Sequence, residues 1–583
     1  MENEQTQQHH HLWQQISPLL PALLSTQRAS WEQGVTAQAL LELYLALHSS
    51  SASPSSSSTS QSNPNLPDPD SGAALIPGPT TTTTTQAPAQ AETDTLLLYI
   101  YNLTHDALVR ASSDGRLATR INGEDASALD PACVGEAVLF VRDMYIYFDG
   151  LDNLGSTPDE RSRWQTGPER MVRFLVRDAV RIAGSGASSS SASSSTIGDH
   201  EDDNNIEIPP SGTTSTETGT GAGAISHLLR APQLWSDGGY MGPPFLAAAA
   251  VSRSLSRSCF AGTTKTKDGH NDNAEWIDVN TTISPSSLLT EAFDQILLYA
   301  RYLRRPCTDP GSGTGSGSGA EAAAAPQKKM LLLAHIYDGT LGTFAPIDVQ
   351  HGQYGHAAWG VGMGWFVNGI VRVMRTVERA LCTTGVRSSD SHGHLRWLER
   401  WLKEDDDDDD DDREGGKHSS RIDRTASLLV ALLDGILPHQ RPQDGLFHNV
   451  VDDGGTSVET NLAQMLAAAI FRICTLYYEY YDDDDDDDSN DQDGKLPRPR
   501  PSVVVRALRG VLDRDKLSAY EAAAERMYVA ARGKRDRWGL VQGVCGSPGF
   551  SGPGTATEGQ AWAVLMEVAR WEWCRIRRVD TTT

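Results

Sequence analysis

Residues 28–48 read RASWEQGVTAQALLELYLALH, and they are apolar on most faces of the helix that they predict. A helix with one apolar stripe lies at a surface, whereas a helix that is apolar nearly all round is buried inside a large protein. Further helices are predicted at 94–113, 133–147, 162–183, 243–257, 286–303, 361–382, 391–402, 420–436, 457–475, 517–532 and 558–577. No alternating apolar run is long enough for a sheet, so the chain is predicted to be all-α.

The helices can be arranged either as an open solenoid or as a closed ring of helix pairs. A solenoid of stacked units shows self-similarity at a fixed period. The sequence has no such period. The closed ring is therefore favoured.

Low-complexity stretches account for much of the 583-residue length. Such stretches cannot bury enough apolar surface to offset the entropy of ordering them. They fall between the predicted helices, where loops tolerate insertion. One domain spanning residues 1–583 is expected, interrupted by disordered insertions near 49–92, 184–224, 260–285, 308–325, 404–417 and 482–500.

The formal net charge of −26 includes two Asp runs, at 405–412 and 482–488. Nucleic acid is not expected as a partner, because phosphate binding needs a basic face. The N-terminus, MENEQTQQHHHLWQQISPLLPALL, lacks a basic start followed by an unbroken apolar core, so neither a secretory signal nor a membrane anchor is predicted. With seven scattered Cys and no CxxC motif, a cytoplasmic location without structural zinc is expected.

The most informative segments combine Trp or Tyr with Gly and a carboxylate or His at helix ends. Examples are Trp31–Gly34, Trp235–Gly239 and Trp359–Trp365. Aromatic rings stack on the apolar faces of sugars, and glycines let the backbone approach a ligand. A carboxylate among aromatic residues is partly desolvated, which raises its pKa toward the range that a general acid needs. These segments indicate a carbohydrate site.

Each of these residues also has a purely structural interpretation. Asp237 could be an ordinary helix N-cap, since Asp is favoured there. Trp31 could simply pack the first helix, and a lone His335 is more often a structural histidine than a ligand-binding one. On residue type alone these alternatives stay open.

Seven segments, taken in order, resemble the family 105 glycoside hydrolases of fungal type and their family 88 relatives, the unsaturated rhamnogalacturonyl and glucuronyl hydrolases. They are SWEQGVTAQALLELY (30–44), LDPACVGEAVL (129–139), LWSDGGYMGPPFLA (234–247), AHIYDG (334–339), WGVGMGWFVNGI (359–370), DGLFHNVVDD with SVETNLAQML (444–453 and 457–466), and GTATEGQAW (554–562). The resemblance implies an (α/α)6 barrel, a six-fold ring of helix pairs with its site at one end.

The resemblance also implies a reaction that needs no metal or cofactor. The expected substrate is a short, rhamnogalacturonan-type oligosaccharide whose non-reducing uronic acid carries a C4=C5 double bond. An Asp protonates C4 and activates water for C5, so one carboxylate dominates where ordinary glycosidases need a spaced pair. The residues that match the family pattern are Asp237 as the acid/base, Asp130 as a second acid, His335 as the pocket histidine, and Trp31, Trp235, Trp359 and Trp365 as aromatic wall positions.

Two positions depart from the family's tryptophan motif, which often reads WGRGNGW. Val361 stands where Arg is common, and Met363 stands where Asn is common. Losing an Arg removes a strong partner for a carboxylate, so the preferred sugar is expected to differ. The departures keep two other interpretations open: an ordinary glycosidase on the same ring, and a carbohydrate-binding protein without catalysis.

Overall fold

The computed structural model describes residues 2–49, 88–119, 126–147, 157–183, 223–263, 283–305, 331–385, 396–407, 419–478, 501–547, 549–550 and 552–580. The predicted insertions lie largely outside these residues. Helical residues reach into them at 88–92, 260–263 and 404–407. The first and last turns of a helix need no apolar periodicity, so these extensions leave little signal in the sequence.

The described part of the chain is mainly helical, as predicted. Its helices are α1 (Glu2–Ile16), α2 (Leu20–Ser25), α3 (Ser30–Ser49), α4 (Pro88–Val109), α5 (Gly135–Tyr147), α6 (Pro158–Arg173), α7 (Gly238–Met241), α8 (Pro243–Thr263), α9 (Pro285–Leu303), α10 (Gly360–Gly385), α11 (Arg396–Asp407), α12 (Arg421–Ile436), α13 (Asn461–Tyr478), α14 (Val503–Val511), α15 (Arg514–Arg532) and α16 (Thr557–Asp580). Of these, α1, α2, α7 and α14 were not predicted.

Six of these helices close into a ring. Going round the ring, α3 packs against α5, α5 against α8, α8 against α10, α10 against α13, α13 against α16, and α16 against α3 again. An outer helix comes before each inner one: α1 and α2 pack on α16, α4 on α3, α6 on α5, α9 on α8, α12 on α10, and α15 on α13. This alternation of outer and inner helices is the (α/α)6 barrel, so the predicted fold is confirmed.

The inner helices start at one end of the ring because an outer helix returns the chain there each time. Glycines allow the helices to pack closely. A Cβ on Gly369 of α10 would lie 2.0 Å from the backbone oxygen of Gly239, and one on Gly364 would lie 2.3 Å from the sulfur of Met465. Any side chain at these two positions would push α10 away from its neighbours.

Three small sheets join outer helices to inner ones. They are β1 (Arg181–Ile182) with β2 (Ala224–Ile225); β3 (Gln233–Trp235) with β4 (Ile336–Asp338) and β5 (Thr343–Phe344); and β6 (Phe447–His448) with β7 (Val458–Glu459), all antiparallel. Strands of two or three residues show no alternating pattern, so the sequence did not reveal them. The helix predicted at 162–183 was wrong at its end, because the chain leaves the helix after Asp178 and pairs as β1.

Stretches outside the described residues occur on both sides of the inner helices. Residues 50–87, 264–282, 386–395 and 479–500 each follow directly after an inner helix. Residues 120–125, 184–222 and 306–330 lie in the segments that lead into the inner helices α5, α8 and α10. None of the described helices is long and apolar enough to cross a membrane.

Candidate active site at the N-terminal end of the ring

The motif residues gather where the inner helices begin. Each of the six inner helices contributes one at its first turn or just before it: Trp31, Asp130, Asp237, Trp359, Glu459 and Glu558. Bonds between these segments, described below, bring them together although they are hundreds of residues apart in the chain. The ring closure therefore makes one site from six short sequences.

Asp237 lies between β3 and α7 and is 8% exposed. It occupies the N-cap position of α7, but its side chain accepts no capping hydrogen bond. Instead Oδ2 lies 3.0 Å from Nε2 of His335. The N-cap interpretation therefore does not account for this carboxylate. The pairing of β3 with β4 brings Asp237 and His335 together, because Trp235, two residues before Asp237, lies opposite Ile336, the residue after His335.

The proton on His335 can be assigned from its neighbours. The backbone N–H of Tyr354 donates to Nδ1 at 3.1 Å. An N–H cannot accept in return, so Nδ1 carries no proton and the neutral ring carries its proton on Nε2. Nε2–H then donates to Oδ2 of Asp237. The other oxygen, Oδ1, has no hydrogen-bond partner among the described residues, which leaves it to reacting atoms.

A second acid–histidine pair lies on the other side of Trp235. His227 stacks on the indole of Trp235, with ring centroids 5.0 Å apart and planes at 6°. Its Nε2 lies 3.2 Å from Oδ1 of Asp130. The edge of His335 faces the same indole at 5.3 Å. Trp235 thus lies between the pairs Asp130–His227 and Asp237–His335, and His227 is a site residue that the sequence analysis missed.

Tyr299 lies beneath both carboxylates. Its hydroxyl donates to the backbone oxygen of Ile225 at 2.6 Å. Burial raises its pKa well above the usual range, and the charges of Asp130 and Asp237 raise it further. Both carboxylates are therefore close enough to act on one phenol. Tyr299 stays neutral and serves as the floor between them.

Trp359 forms another wall of the site. Its ring centroid lies 4.5 Å from that of His335, and it stacks on Tyr354 at 5.2 Å with planes at 9°. Its Nε1 donates to Oδ1 of Asn449 at 3.0 Å, and Nδ2 of Asn449 donates to the hydroxyl of Tyr354 at 2.8 Å. That hydroxyl donates to the backbone oxygen of Phe550 at 2.6 Å. This network fixes the orientation of Trp359.

The glycines of the motif that begins at Trp359 are explained by close packing. A Cβ on Gly362 would lie 2.1 Å from Oγ of Ser236, 3.1 Å from the ring of Trp359 and 3.4 Å from that of His335. Only glycine lets the first turn of α10 approach the Asp237 segment this closely. The motif therefore serves close packing of the site and not phosphate binding.

Trp31 is partly exposed and is held by a buried acid. Its Nε1 donates to Oε1 of Glu558 at 2.9 Å, and the backbone N–H of Ser547 lies 3.5 Å from the same oxygen. Glu32, next to Trp31, accepts the N–H of Ala29 at 2.9 Å and that of Arg28. Glu32 and Glu558 were not predicted as site residues.

Two buried glutamates at this end of the ring, Glu459 and Glu558, have raised pKa values. Burial raises the pKa of Glu558 to about 7, and neighbouring Glu32 raises it further. Burial also raises the pKa of Glu459 to about 7, although the N–H groups of Leu462, Asn461 and Cys545 partly oppose the shift. These two carboxyl groups are therefore expected to be partly protonated near neutral pH. The described residues contain no group of three His, Cys, Asp or Glu arranged to hold a metal ion.

The other predicted wall residue is deeper. Trp365 is 2% exposed and packs against Tyr240 and Trp562, with centroids 4.6 and 5.2 Å away. None of its described ring contacts joins it to His335 or Trp359. Val361 and Met363, the two departures, are also buried on α10. Of the seven predicted residues, the structure thus groups Asp237, His335, Trp235 and Trp359 directly, with Asp130 joined through His227 and Trp31 on Glu558.

Comparisons with known proteins found structural neighbours only. A possible member of the GH105 family from Salmonella enterica is 11% identical, with a TM-score of 0.46, over 98% of this chain and 95% of the other. A possible member of the same family from Klebsiella pneumoniae is 12% identical, with a TM-score of 0.45, over 98% and 94%. An unsaturated glucuronyl hydrolase specific for heparin is 8% identical, with a TM-score of 0.43, over the whole of both chains.

No protein-family model and no curated protein matches the chain. The (α/α)6 assignment therefore rests on the helix packing described above. Salmonella enterica and Klebsiella pneumoniae are bacteria, so the expected fungal type gains no support from these neighbours.

Proposed function

We propose that the protein is a glycoside hydrolase that removes a 4,5-unsaturated uronic acid from the non-reducing end of short oligosaccharides. The observation that carries the proposal is the buried Asp237–His335 pair between Trp235 and Trp359. His335 fixes one oxygen of Asp237 and leaves the other to the substrate. The order of the sequence motifs, from 30–44 to 554–562, supports the same class of activity. The described helices form its single catalytic domain.

In the proposed reaction Asp237 acts first as an acid and then as a base. A proton on Oδ1 moves to C4 of the double bond, and positive charge develops at C5 and the ring oxygen. Water adds to C5 and returns a proton to Asp237. The resulting hemiketal opens and releases the neighbouring sugar. The neutral His335 keeps Oδ2 hydrogen-bonded through both steps, so the carboxyl group does not rotate between them.

The second pair serves binding. Asp130 and His227 lie on the far side of Trp235, and the ring of His227 covers that face of the indole. A sugar would therefore present its hydroxyls to this pair past the partly exposed edge of Trp235, and the carboxylate of Asp130 would accept hydrogen bonds from them. With Trp359 on the other wall, the site holds one flat, unsaturated ring beside aromatic side chains.

The sugar preference follows from Val361. A buried valine offers no charge-assisted hydrogen bond to a uronate carboxylate. We expect the carboxylate to be held by neutral donors, with weaker discrimination against other unsaturated uronides than an arginine would give. Rhamnogalacturonan disaccharide is therefore one substrate to test among several.

The experiment is a turnover assay on lyase-generated unsaturated disaccharides of rhamnogalacturonan and glucuronan, following the ultraviolet absorbance of the enol ether. Wild type is expected to consume the absorbance. Asp237→Asn is expected to lose about 10²–10⁴-fold in kcat, the usual contribution of a general acid–base group. Asp348→Asn, an exposed carboxylate paired with His351, is the matched control and should retain activity.

Two results would overturn the proposal. If no unsaturated substrate loses absorbance but saturated oligosaccharides are cleaved, the protein is an ordinary glycosidase, with Asp130 as the second carboxylate to test. If sugars bind without any turnover, the protein is a carbohydrate-binding protein on the same ring.

A further inference from the structure

Trp31 differs from the other tryptophans at the site in what covers its ring. The indole of Trp235 is stacked by His227, and that of Trp359 is stacked by Tyr354. Trp31 is partly exposed, and among the described residues no aromatic ring contacts its indole. This indole is therefore available to stack on a ring that comes from the substrate.

Trp31 lies at the seam of the ring, which is the contact between the first inner helix, α3, and the last one, α16. Its Nε1 donates to Oε1 of Glu558 at 2.9 Å. Its backbone oxygen lies 3.8 Å from Sγ of Cys133, and a Cβ on Gly34 would lie 2.5 Å from Cβ of the same cysteine. The backbone of Trp31 is thus packed against the turn that carries Asp130, while its indole is bonded to α16.

Other hydrogen bonds already close the seam. Oγ1 of Thr557 donates to the backbone oxygen of Thr26 at 2.9 Å, and Nη1 of Arg28 donates to the backbone oxygen of Ser547 at 3.3 Å. These bonds join the two ends of the chain through neutral acceptors, without a buried carboxyl group. Closure of the ring therefore does not explain why residue 558 is a glutamate.

A carboxyl group is also unfavourable at this position. Glu558 is 2% exposed, and burial raises its pKa to about 7, with the charge of Glu32 raising it further. Oε1 accepts from Trp31, whereas Oε2 has no hydrogen-bond partner among the described residues. A buried polar atom without a partner destabilises the fold. Within the described part of the chain, the indole of Trp31 is the one side-chain group that Glu558 bonds.

The carboxyl group of Glu558 is itself held in place by the chain that leads into α16. The backbone N–H of Ser547 lies 3.5 Å from Oε1. A Cβ on Gly546 would lie 2.7 Å from Oε2 and 3.2 Å from Cδ, so only glycine lets the backbone pass this closely. The segment before α16 thus fixes Glu558, and Glu558 in turn fixes Trp31.

We infer that Glu558 is a positioning residue, whose Oε1 holds the indole of Trp31 as a stacking platform for the sugar substrate. The inference rests on the proposed function, because such a platform needs a sugar ring. An indole whose N–H is bonded to a buried acceptor keeps one orientation before the substrate arrives, which lowers the entropic cost of binding. Glu558 acts through Trp31, so it should affect substrate binding and not the chemical step.

The test measures sugar binding in an Asp237→Asn background, in which the substrate is not consumed. Glu558→Leu removes the acceptor, and the dissociation constant for an unsaturated disaccharide is expected to rise about 10-fold, which is roughly the effect of one hydrogen bond. Glu558→Gln keeps an oxygen acceptor and should bind within about 2-fold of the parent. Thr557→Val removes the bond to Thr26 on the same seam, so it is the matched control and should leave binding unchanged.

Kinetics separate positioning from a purely structural role. With Asp237 present, Glu558→Leu should raise KM and leave kcat nearly unchanged, because it removes binding that is equal in the ground state and the transition state. A loss confined to kcat would contradict the inference.

The outcomes distinguish this inference from the proposed function. If the disaccharide binds Glu558→Leu and Thr557→Val equally well, Glu558 does not position Trp31, and the proposed function stands. If wild type neither binds nor converts any unsaturated disaccharide, the proposed function fails and the platform fails with it.

If Glu558→Leu does not fold, nuclear magnetic resonance of tryptophan-labelled protein provides the second measurement. The indole N–H signal of Trp31 is identified by its loss in Trp31→Phe. It should exchange slowly with solvent, because Glu558 accepts it, and it should shift when the disaccharide is added. Fast exchange, or a signal that does not move, would reject the inference.

Discussion

Glu42 and Glu558 are both buried on inner helices, yet their pKa values move in opposite directions. Burial alone would raise both. For Glu42 the charges of Arg472 and Arg375 outweigh burial and lower the pKa to about 2. For Glu558 the main neighbouring charge is another carboxylate, Glu32, and the pKa rises to about 7.

The difference separates two uses of buried charge within one ring. Glu42 faces arginines and stays ionised at neutral pH, so it contributes to structure. At the N-terminal end of the ring, Glu459 and Glu558 are buried beside backbone N–H groups and other carboxylates, and burial raises the pKa of each to about 7. The neighbouring charges thus decide which of these buried carboxyl groups can take up a proton near neutral pH. The following changes would break or sharpen this comparison.

The largest effect on stability is expected from Glu42→Gln. The change leaves Arg472 and Arg375 without their shared counter-charge inside the ring. Breaking a buried ion pair by removing one partner costs about 3–5 kcal/mol. Urea unfolding at pH 7 should show this loss in the free energy of unfolding. Glu558→Gln is the matched control and should cost less than about 1 kcal/mol, because it removes no cation's partner. Equal losses would contradict the comparison.

The two kinds of carboxylate should also make the free energy of unfolding depend on pH in opposite directions. Glu459 and Glu558 have folded-state pKa values of about 7 against an ordinary 4.5, so their contribution is full below 4.5 and is lost as pH rises through 7. Glu42 contributes fully above 4.5 and loses its contribution as pH falls toward 2. Each group changes the free energy of unfolding by at most about 1.4 kcal/mol per pH unit.

Urea unfolding between pH 5 and pH 8 measures this effect. The double change Glu459→Gln and Glu558→Gln should flatten the decline in stability that wild type shows with rising pH. An unchanged slope would mean that these carboxylates are already ionised in the folded protein.

A smaller effect, on catalysis alone, is expected from His335→Gln. Asp237 loses the donor that orients it, and a misplaced catalytic group costs up to about 10²-fold in rate. The loss should fall on kcat, with little change in KM. His351→Gln, at a histidine whose side chain is 73% exposed in the same segment, is the control. An equal loss in both variants would remove His335 from the site.

The smallest effect is expected from Gly362→Ala. Its Cβ would lie 2.1 Å from Oγ of Ser236, so the first turn of α10 must shift, at a cost of about 1–3 kcal/mol. Gly454→Ala meets no atom within 4 Å and should change the free energy of unfolding by less than about 0.5 kcal/mol. Thermal unfolding of the two variants compares them directly.

The sequence predicted the inner helices well because they are long and apolar. It missed α14, a helix of only nine residues. It also missed every strand, because a strand of two or three residues shows no alternating pattern. Long periodic segments are reliable, whereas short elements depend on partners elsewhere in the chain.

The site was predicted only in part. Asp237, His335, Trp235 and Trp359 stand in recognisable motifs, and the structure brings them together. His227 lies in no quoted motif, and its stacking on Trp235 depends on a turn that brings the two residues together. Asn449, Glu459 and Glu558 lie within quoted segments but were not among the predicted site residues, because burial and hydrogen bonding decide their role and neither is visible in residue type.

The placement of the long stretches after inner helices, at residues 50–87, 264–282, 386–395 and 479–500, has a practical consequence. A hairpin ring has two faces, and the Asp237 group lies on the face where the inner helices begin. Length can change on the face where inner helices finish without moving any atom of the Asp237 group. For protein engineering, that face offers several independent places to insert a reporter or an affinity domain, and trimming those stretches offers a route to a smaller protein for crystallisation.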